Sequence, residues 1–245
     1  MKTISFKLLV LSIVLFPSCR TLYKPNAVNV PMLQEKREAK IYVGNNNLQV
    51  AYAVTNHVGL MLNGYYEAGK VNHDNGDYIK TKGYLGEIGA GYFMPFQNKA
   101  LFEVYAGGGM GQVSISERAT GSDGIAMNKY FDGNAYKMFI QPTYGYVGKF
   151  FEVGLTPRFT FVKYSNLNIR NYTQSEQQDY TYYQLNQPTW VFFEPALTLR
   201  GGYKWVKLQF QVGRSIKLNS DKLNYDGNLI NGGVVIDIAK WYNND

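Results

Sequence analysis

Two residue types that build most reactive sites are nearly missing from this chain. It holds one cysteine and two histidines in 245 residues. A single cysteine leaves no pair for an internal disulfide. Two histidines, His57 and His73, are too few for the usual zinc sets without converging carboxylates. His57 sits in TNH and His73 in NHDNGD, both turn-like stretches, and the Asp74/Asp77 spacing matches no EF-hand loop. Neither histidine falls beside a serine on a patterned segment, so nucleophilic catalysis has no base to work with. Charge is also sparse, at 18%, and the Lys and Arg residues are scattered without a basic run. That argues against a nucleic-acid footprint despite a formal net charge of +7. No apolar stretch is long enough to cross a bilayer as a helix, and no segment keeps a helical period. The glycine run AGGGMG at 106–111 is followed by Gln112 where a dinucleotide fingerprint needs glycine, and no helix pattern follows. The expectation is a protein that is not an enzyme and has no metal or cofactor.

What the chain does have is a basic, apolar start and a great deal of tyrosine, phenylalanine and glycine (21, 14 and 25). Residues 1–18 read as a signal peptide, with Lys2 and Lys7 before a short apolar core at 8–16. LFPSC then places Cys19 where a bacterial lipobox would end. Ser18 fits that motif, while Phe16 and Pro17 depart from it. Cys19 is therefore the candidate acylation site, carrying palmitate-type chains. Residues 20–37 hold two prolines and no period, and read with Cys19 as a lipidated, extended tether (19–37).

From residue 38 onward a period of two recurs. In FFEVGLTPRFTFVKY the odd positions 151–161 are apolar or proline, and the even ones include Glu152 and Arg158. Ten such segments appear, at 38–44, 48–54, 58–67, 81–94, 101–114, 136–147, 150–164, 189–202, 206–218 and 229–240. Several reach the 9–11 residues or so that a tilted membrane strand needs, longer than sandwich strands. Short and long connections mostly take turns, as in outer-membrane barrels. The fold expected for 38–245 is thus all-β: an antiparallel up-and-down membrane β-barrel of about ten transmembrane β-strands, or eight if the first hairpin is smaller. An even number puts both barrel ends on one side, with an acylated Cys19 in the inner leaflet and residue 245 in the periplasm. Pro142, Pro157 and Pro195 fall within three successive strands, which suggests a line of bulges or a weak seam.

In that arrangement the charges face the lumen. Glu87, Glu103, Glu152, Glu194 and Asp237 oppose Lys137, Arg158, Arg200 and Lys207. Glu152 and Arg158 are six residues apart, as are Glu194 and Arg200, so antiparallel pairing would set Glu152 by Arg200 and Arg158 by Glu194. A narrow lumen of mixed charge reads as a salt-bridged plug. The alternatives are a narrow channel and a soluble β-sandwich lipoprotein held at the membrane by acyl chains. The longest loop, SNLNIRNYTQSEQQDYTYYQLNQ, is rich in Tyr and Asn, which suit contacts with envelope proteins or surface glycans.

Three stretches, YKPNAVNVPMLQEK, LQVAYAVTNHVGLMLNGYY and FFEPALTLRGGYKWVKLQFQVG, resemble small outer-membrane β-barrel (lipo)proteins of the Bacteroidota. They hold 14, 19 and 22 of the 245 residues. The resemblance implies a barrel in the Gram-negative cell envelope, at the outer membrane with its lipid as partner. The role it suggests is structural or in binding, as an accessory to a secretion or uptake assembly.

Overall fold

The computed structural model describes residues 20–73, 76–121, 124–203 and 205–238. Residues 1–18, read above as a signal peptide, and Cys19 lie outside the described residues. The strands are β1 (Ala39–Gly44), β2 (Asn47–Ala53), β3 (Val58–Asn72), β4 (Tyr78–Pro95), β5 (Ala100–Thr120), β6 (Ala126–Val147) and β7 (Phe151–Arg170). Then come a short helix α1 (Gln174–Asp179), a 3-10 turn (Tyr182–Gln184), β8 (Trp190–Tyr203), β9 (Val206–Arg214), the two-residue β10 (Ile216–Lys217) and β11 (Asn228–Asp237).

All pairings between strands are antiparallel and run in sequence order from β1 to β9. β11 pairs with β9 on one side and β1 on the other, which closes a barrel of ten staves. β10 adds only a short pairing to β8. Closure leaves no edge, which removes both the sandwich alternative and the eight-strand count.

The alternation sorts side chains as the period of two requires. On the outer face of β3 and β4, Val58 faces Tyr92, Leu62 faces Ile88 and Tyr66 faces Tyr84, all exposed. Phe151, Leu155, Met138, Tyr144, Leu208 and Phe210 are exposed in the same way on other strands. The even positions of β7 from 152 to 164, by contrast, are buried inside, Glu152 and Arg158 among them.

Above this apolar belt the polarity reverses. Ile79, Ile115, Phe131, Tyr164, Tyr182, Trp190 and Phe192 turn inward and pack into one core. Lys70, Lys80, Lys82 and Arg118 turn outward and are exposed. Lys70 stands directly opposite Lys80, one outward pair beyond Ala68–Lys82 and two beyond Tyr66–Tyr84. The hairpins therefore extend well past the belt. β3 to β7 run beyond the boundaries read from the sequence, and connections expected to be long loops shrink to 73–77 and 121–125. Polar residues on the outer face masked the strands there. In β7 the parity also slips: the register shifts between Asp132 and Asn134, opposite a left-handed Asn166 (φ 50°).

The three prolines form a row. Pro157 pairs with Pro195. Pro142 falls opposite Pro157, since Ile140–Phe159 and Tyr144–Leu155 flank it in one unbroken register. The β6–β7 ladder is interrupted there without a shift, so the row is a gap in one ladder and not a line of bulges. Proline supplies no N–H and the ladder simply omits those bonds.

The largest departure from expectation is at residues 20–37. They are extended, as read, but they run inside the barrel. Ala27, Val28, Val30, Met32 and Leu33 are at most 1% exposed. The Leu22 N–H donates to Asn224 O in the β10–β11 connection (2.9 Å), and the Met32 N–H donates to Glu103, three residues from the other end of β5. The segment thus traverses the lumen from the long-connection side to the short-turn side, where left-handed Met32 and Arg37 (φ 50° and 71°) turn it into β1. Both barrel ends lie on the short-turn side, yet residue 20 lies on the opposite one. A tether outside the barrel is replaced by a thread through it.

Candidate functional site

The candidate site is the lumen and the thread that fills it. An extended segment inside a closed barrel cannot join the ladders, because the wall's backbone groups are already paired. Its own N–H and C=O groups still need partners. The wall supplies them through amide side chains, which carry a donor and an acceptor like a peptide. Gln211 accepts from the Val28 N–H (2.8 Å) and donates to the Val28 carbonyl (2.9 Å). Gln49 donates to Ala27 O (2.8 Å) and Gln141 to Asn29 O (2.6 Å). Pro25 and Pro31 need no acceptor, which suits them to such a segment.

Two charged tiers lie across this axis. In the first, Glu87 accepts from Arg158 (2.7 Å), Asn26 (2.9 Å) and Asn63 (2.9 Å), with the Lys137 ammonium at 3.2 Å. Lys137 also donates to Asn26 Oδ1 (2.6 Å). Glu194 accepts from Tyr23 (2.6 Å), Thr160 (2.6 Å) and Ser215 (2.9 Å), and Arg158 Nε is 4.0 Å away. The Arg158 guanidinium lies over the Phe139 ring at 4.1 Å. The glycine run makes room for this tier: a Cβ at Gly109 would stand 2.8 Å from Glu87 Cγ. In the second tier Glu152 binds Arg200 (3.2 Å) and Lys207. Arg200 also donates to Gln209 (2.7 Å) and to Val30 O on the thread (2.5 Å). Lys40 reaches Met32 O (2.5 Å) and Glu38 (3.1 Å), and Glu103 accepts from the Met32 N–H (3.0 Å). Asp237 is buried at the short-turn end, its N–H donating to Trp205 O (2.8 Å).

Every lumenal residue named from the sequence is thus buried. Glu152 and Arg200 are partnered in register, as are Arg158 and Glu194, although the shorter contact of Arg158 is to Glu87 on β4. Glu103 and Asp237 stand apart from the Glu87 tier. The sequence reading missed Glu38, Lys40 and Glu117, and it missed the thread, whose Asn26 bonds Glu87 and whose Asn29 bonds Asn63. Glutamines and asparagines at inward positions with no charge to balance (Gln49, Asn63, Gln141, Gln211) were the available signal.

At the loop side the thread meets a cap. Arg20 pairs with Glu117 and lies over the Tyr180 ring at 4.2 Å. Helix α1 is closed by a capping box in which Thr173 and Glu176 bond reciprocally, and Glu176 also binds Lys129. Burial pushes the Glu176 carboxyl upward, but the bonds from Lys129 and Thr173 prevail and hold it below its usual range. Beside the thread a cavity of about 210 Å³ opens between Leu22, Tyr23, Ile79, Leu85 and Val113.

His57 lies outside the lumen, its Nδ1 3.2 Å from Phe93 O and its ring stacked on Tyr92. Among the described residues, no three His, Cys, Asp or Glu side chains gather as a metal set. Compared with known proteins, the chain matches no family model and no curated sequence.

Proposed function

We propose that this protein is an outer-membrane β-barrel lipoprotein, without enzymatic activity, whose own N-terminal thread closes its lumen. The observation that carries this reading is the inverted polarity of the barrel. Carbon faces outward in a continuous belt, while Glu87, Arg158, Glu152 and Arg200 are buried within. In water that arrangement is upside down, and in a bilayer it is what a spanning barrel requires. The basic patch of Lys70, Lys80, Lys82 and Arg118 on β3, β4 and β5, beyond the tyrosines, suits anionic headgroups at the belt's rim.

With the longer connections outward, residue 20 emerges on the outer side and Asp237 on the periplasmic side. Acyl chains on Cys19 would then anchor at the outer face, and not in the inner leaflet. The filled lumen favours a structural or binding role over conduction. The cap of loops is the surface offered to envelope proteins or glycans, which fits an accessory subunit of a secretion or uptake assembly.

Migration on a denaturing gel before and after boiling, with partition of Cys19→Ala, tests the reading. A lipid-embedded closed barrel resists detergent until heated and stays in the membrane fraction without its acyl chains. Release of Cys19→Ala into the periplasm, or identical migration of heated and unheated wild type, overturns the membrane reading. Absence of labelled palmitate from the wild type overturns the lipoprotein reading alone.

A further inference from the structure

The cavity beside the thread is built by the wall. On β3 and β4 the inward positions facing it include Gly69 and Gly83, within a tier that elsewhere carries Phe131, Tyr164 and Trp190. Neither glycine is needed by the backbone, since neither has a positive φ. Neither is needed for close packing: a Cβ at Gly69 would meet nothing within 4 Å, and one at Gly83 only Gln112 O at 3.7 Å. Glycines at Gly107 and Gly111 differ, because added carbons there would strike neighbouring backbone. At Gly69 and Gly83 the missing side chains leave space and nothing else.

That space has a defined chemistry. Its walls are Leu22, Val71, Ile79, Leu85, Val113 and Val162. Polar groups gather on its rim, where Lys24 pairs with Glu67 and Tyr65 donates to the same carboxylate, with Asp226 nearby. Of the other lysines on the lining, Lys137 is already paired with Glu87 and Lys70 and Lys82 turn outward, so Glu67 and Asp226 offset Lys24 and the rim does not favour an anion. A hydroxyl can donate to Glu67 or Asp226 and accept from Lys24.

We propose that this cavity is a binding site for a small neutral amphiphile, a single ring or short alkyl chain ending in a hydroxyl. Its size sets the upper limit. An apolar cavity of about 150 Å³ takes benzene, so one of about 210 Å³ takes a ring with one or two further heavy atoms. The site opens toward the loop side, next to Thr21 and Leu22 of the thread. Its occupant would therefore sense, and be sensed by, the outer end of the thread.

Methyl NMR of the full chain folded in detergent micelles tests this, with p-cresol and 1-hexanol as probes and hexanoate as the charged comparison. Saturable shifts of the Thr81, Val113 and Ala135 methyl signals are expected with the two neutral probes. Hexanoate should bind at least ten-fold more weakly. Gly83→Leu fills the cavity and should weaken p-cresol binding at least ten-fold while leaving heat-modifiable gel migration unchanged. Gly69→Leu serves the same purpose if Gly83→Leu does not fold. Equal shifts in the filled variant and the wild type would mean partition into micelles and overturn the proposal. So would the lack of any saturable shift in the wild type.

Discussion

Removing the Arg158 guanidinium should be among the most damaging single changes in the barrel wall. The side chain is fully buried, bonds Glu87 at 2.7 Å and lies 4.0 Å from Glu194. Breaking a buried ion pair from one side costs about 3–5 kcal/mol, because the surviving charge is stranded. Here both stranded carboxylates retain other donors. Glu87 keeps Lys137, Asn26 and Asn63, and Glu194 keeps three hydroxyls. The expected cost of Arg158→Ala is therefore near the lower end, about 3 kcal/mol. Glu87→Gln alone should also destabilise, since Arg158 loses its nearest anion. The double variant Glu87→Gln/Arg158→Met removes both charges and should cost less than the sum of the singles, by about 1–3 kcal/mol. Urea unfolding of protein refolded into lipid vesicles, followed by tryptophan fluorescence, gives all the free energies on one scale. A loss under about 1 kcal/mol for Arg158→Ala, or strict additivity in the cycle, would refute the idea that this tier is dry and coupled.

Replacing residues 22–33 with a Gly/Ser linker of equal length should empty the lumen, and planar-bilayer recordings should then show steady conductance where the wild type passes little current; equal currents would mean that the thread is not the seal. The Glu176 carboxyl is held below its usual range in the folded cap. Its stabilising effect on α1 is therefore complete above the ordinary carboxylate range and is lost as pH falls through the depressed folded value. Amide protection factors across residues 173–180, taken against the intrinsic rate at each pH, should fall on acidification. Glu176→Gln should already show low protection at neutral pH, and wild-type protection factors that ignore pH would sink the account.

Much of the wall was legible because a barrel stave has only one rule, alternation, and the belt obeys it strictly. Leu60, Leu62 and Ile88 against Asn63 and Glu87 reveal both faces at once. Legibility failed where that rule changes meaning. Past Tyr66 and Tyr84 the apolar residues turn inward and the lysines outward, so Ile79 and Phe131 looked like loop residues in polar surroundings. At Asn166 a bulge moves the inward set from even to odd positions, and the strand seemed to end at Tyr164. The pairing of Glu152 with Arg200 followed from spacing and the antiparallel rule alone. The thread could not be read that way. Its partners, such as Val28 and Gln211, are 183 residues apart, and an extended segment bonded by side chains carries no period of its own.

The thread also fixes an order of events. It precedes β1 in the chain, and yet it is enclosed by strands made up to two hundred residues later. A wall that closed empty would afterwards have to admit the thread past Arg158, which bonds Glu87 across the gap, and seat it on Arg200 and Gln211, which bond the Val30 and Val28 carbonyls. Closure of β11 against β1 and β9 is therefore also the moment of capture. Contacts of such long sequence separation form late and slowly. Until they form, the wall's buried charges have no counterparts on the axis. Assembly of the barrel is in this sense templated from within: a segment made before the first stave is the core on which the staves are gathered.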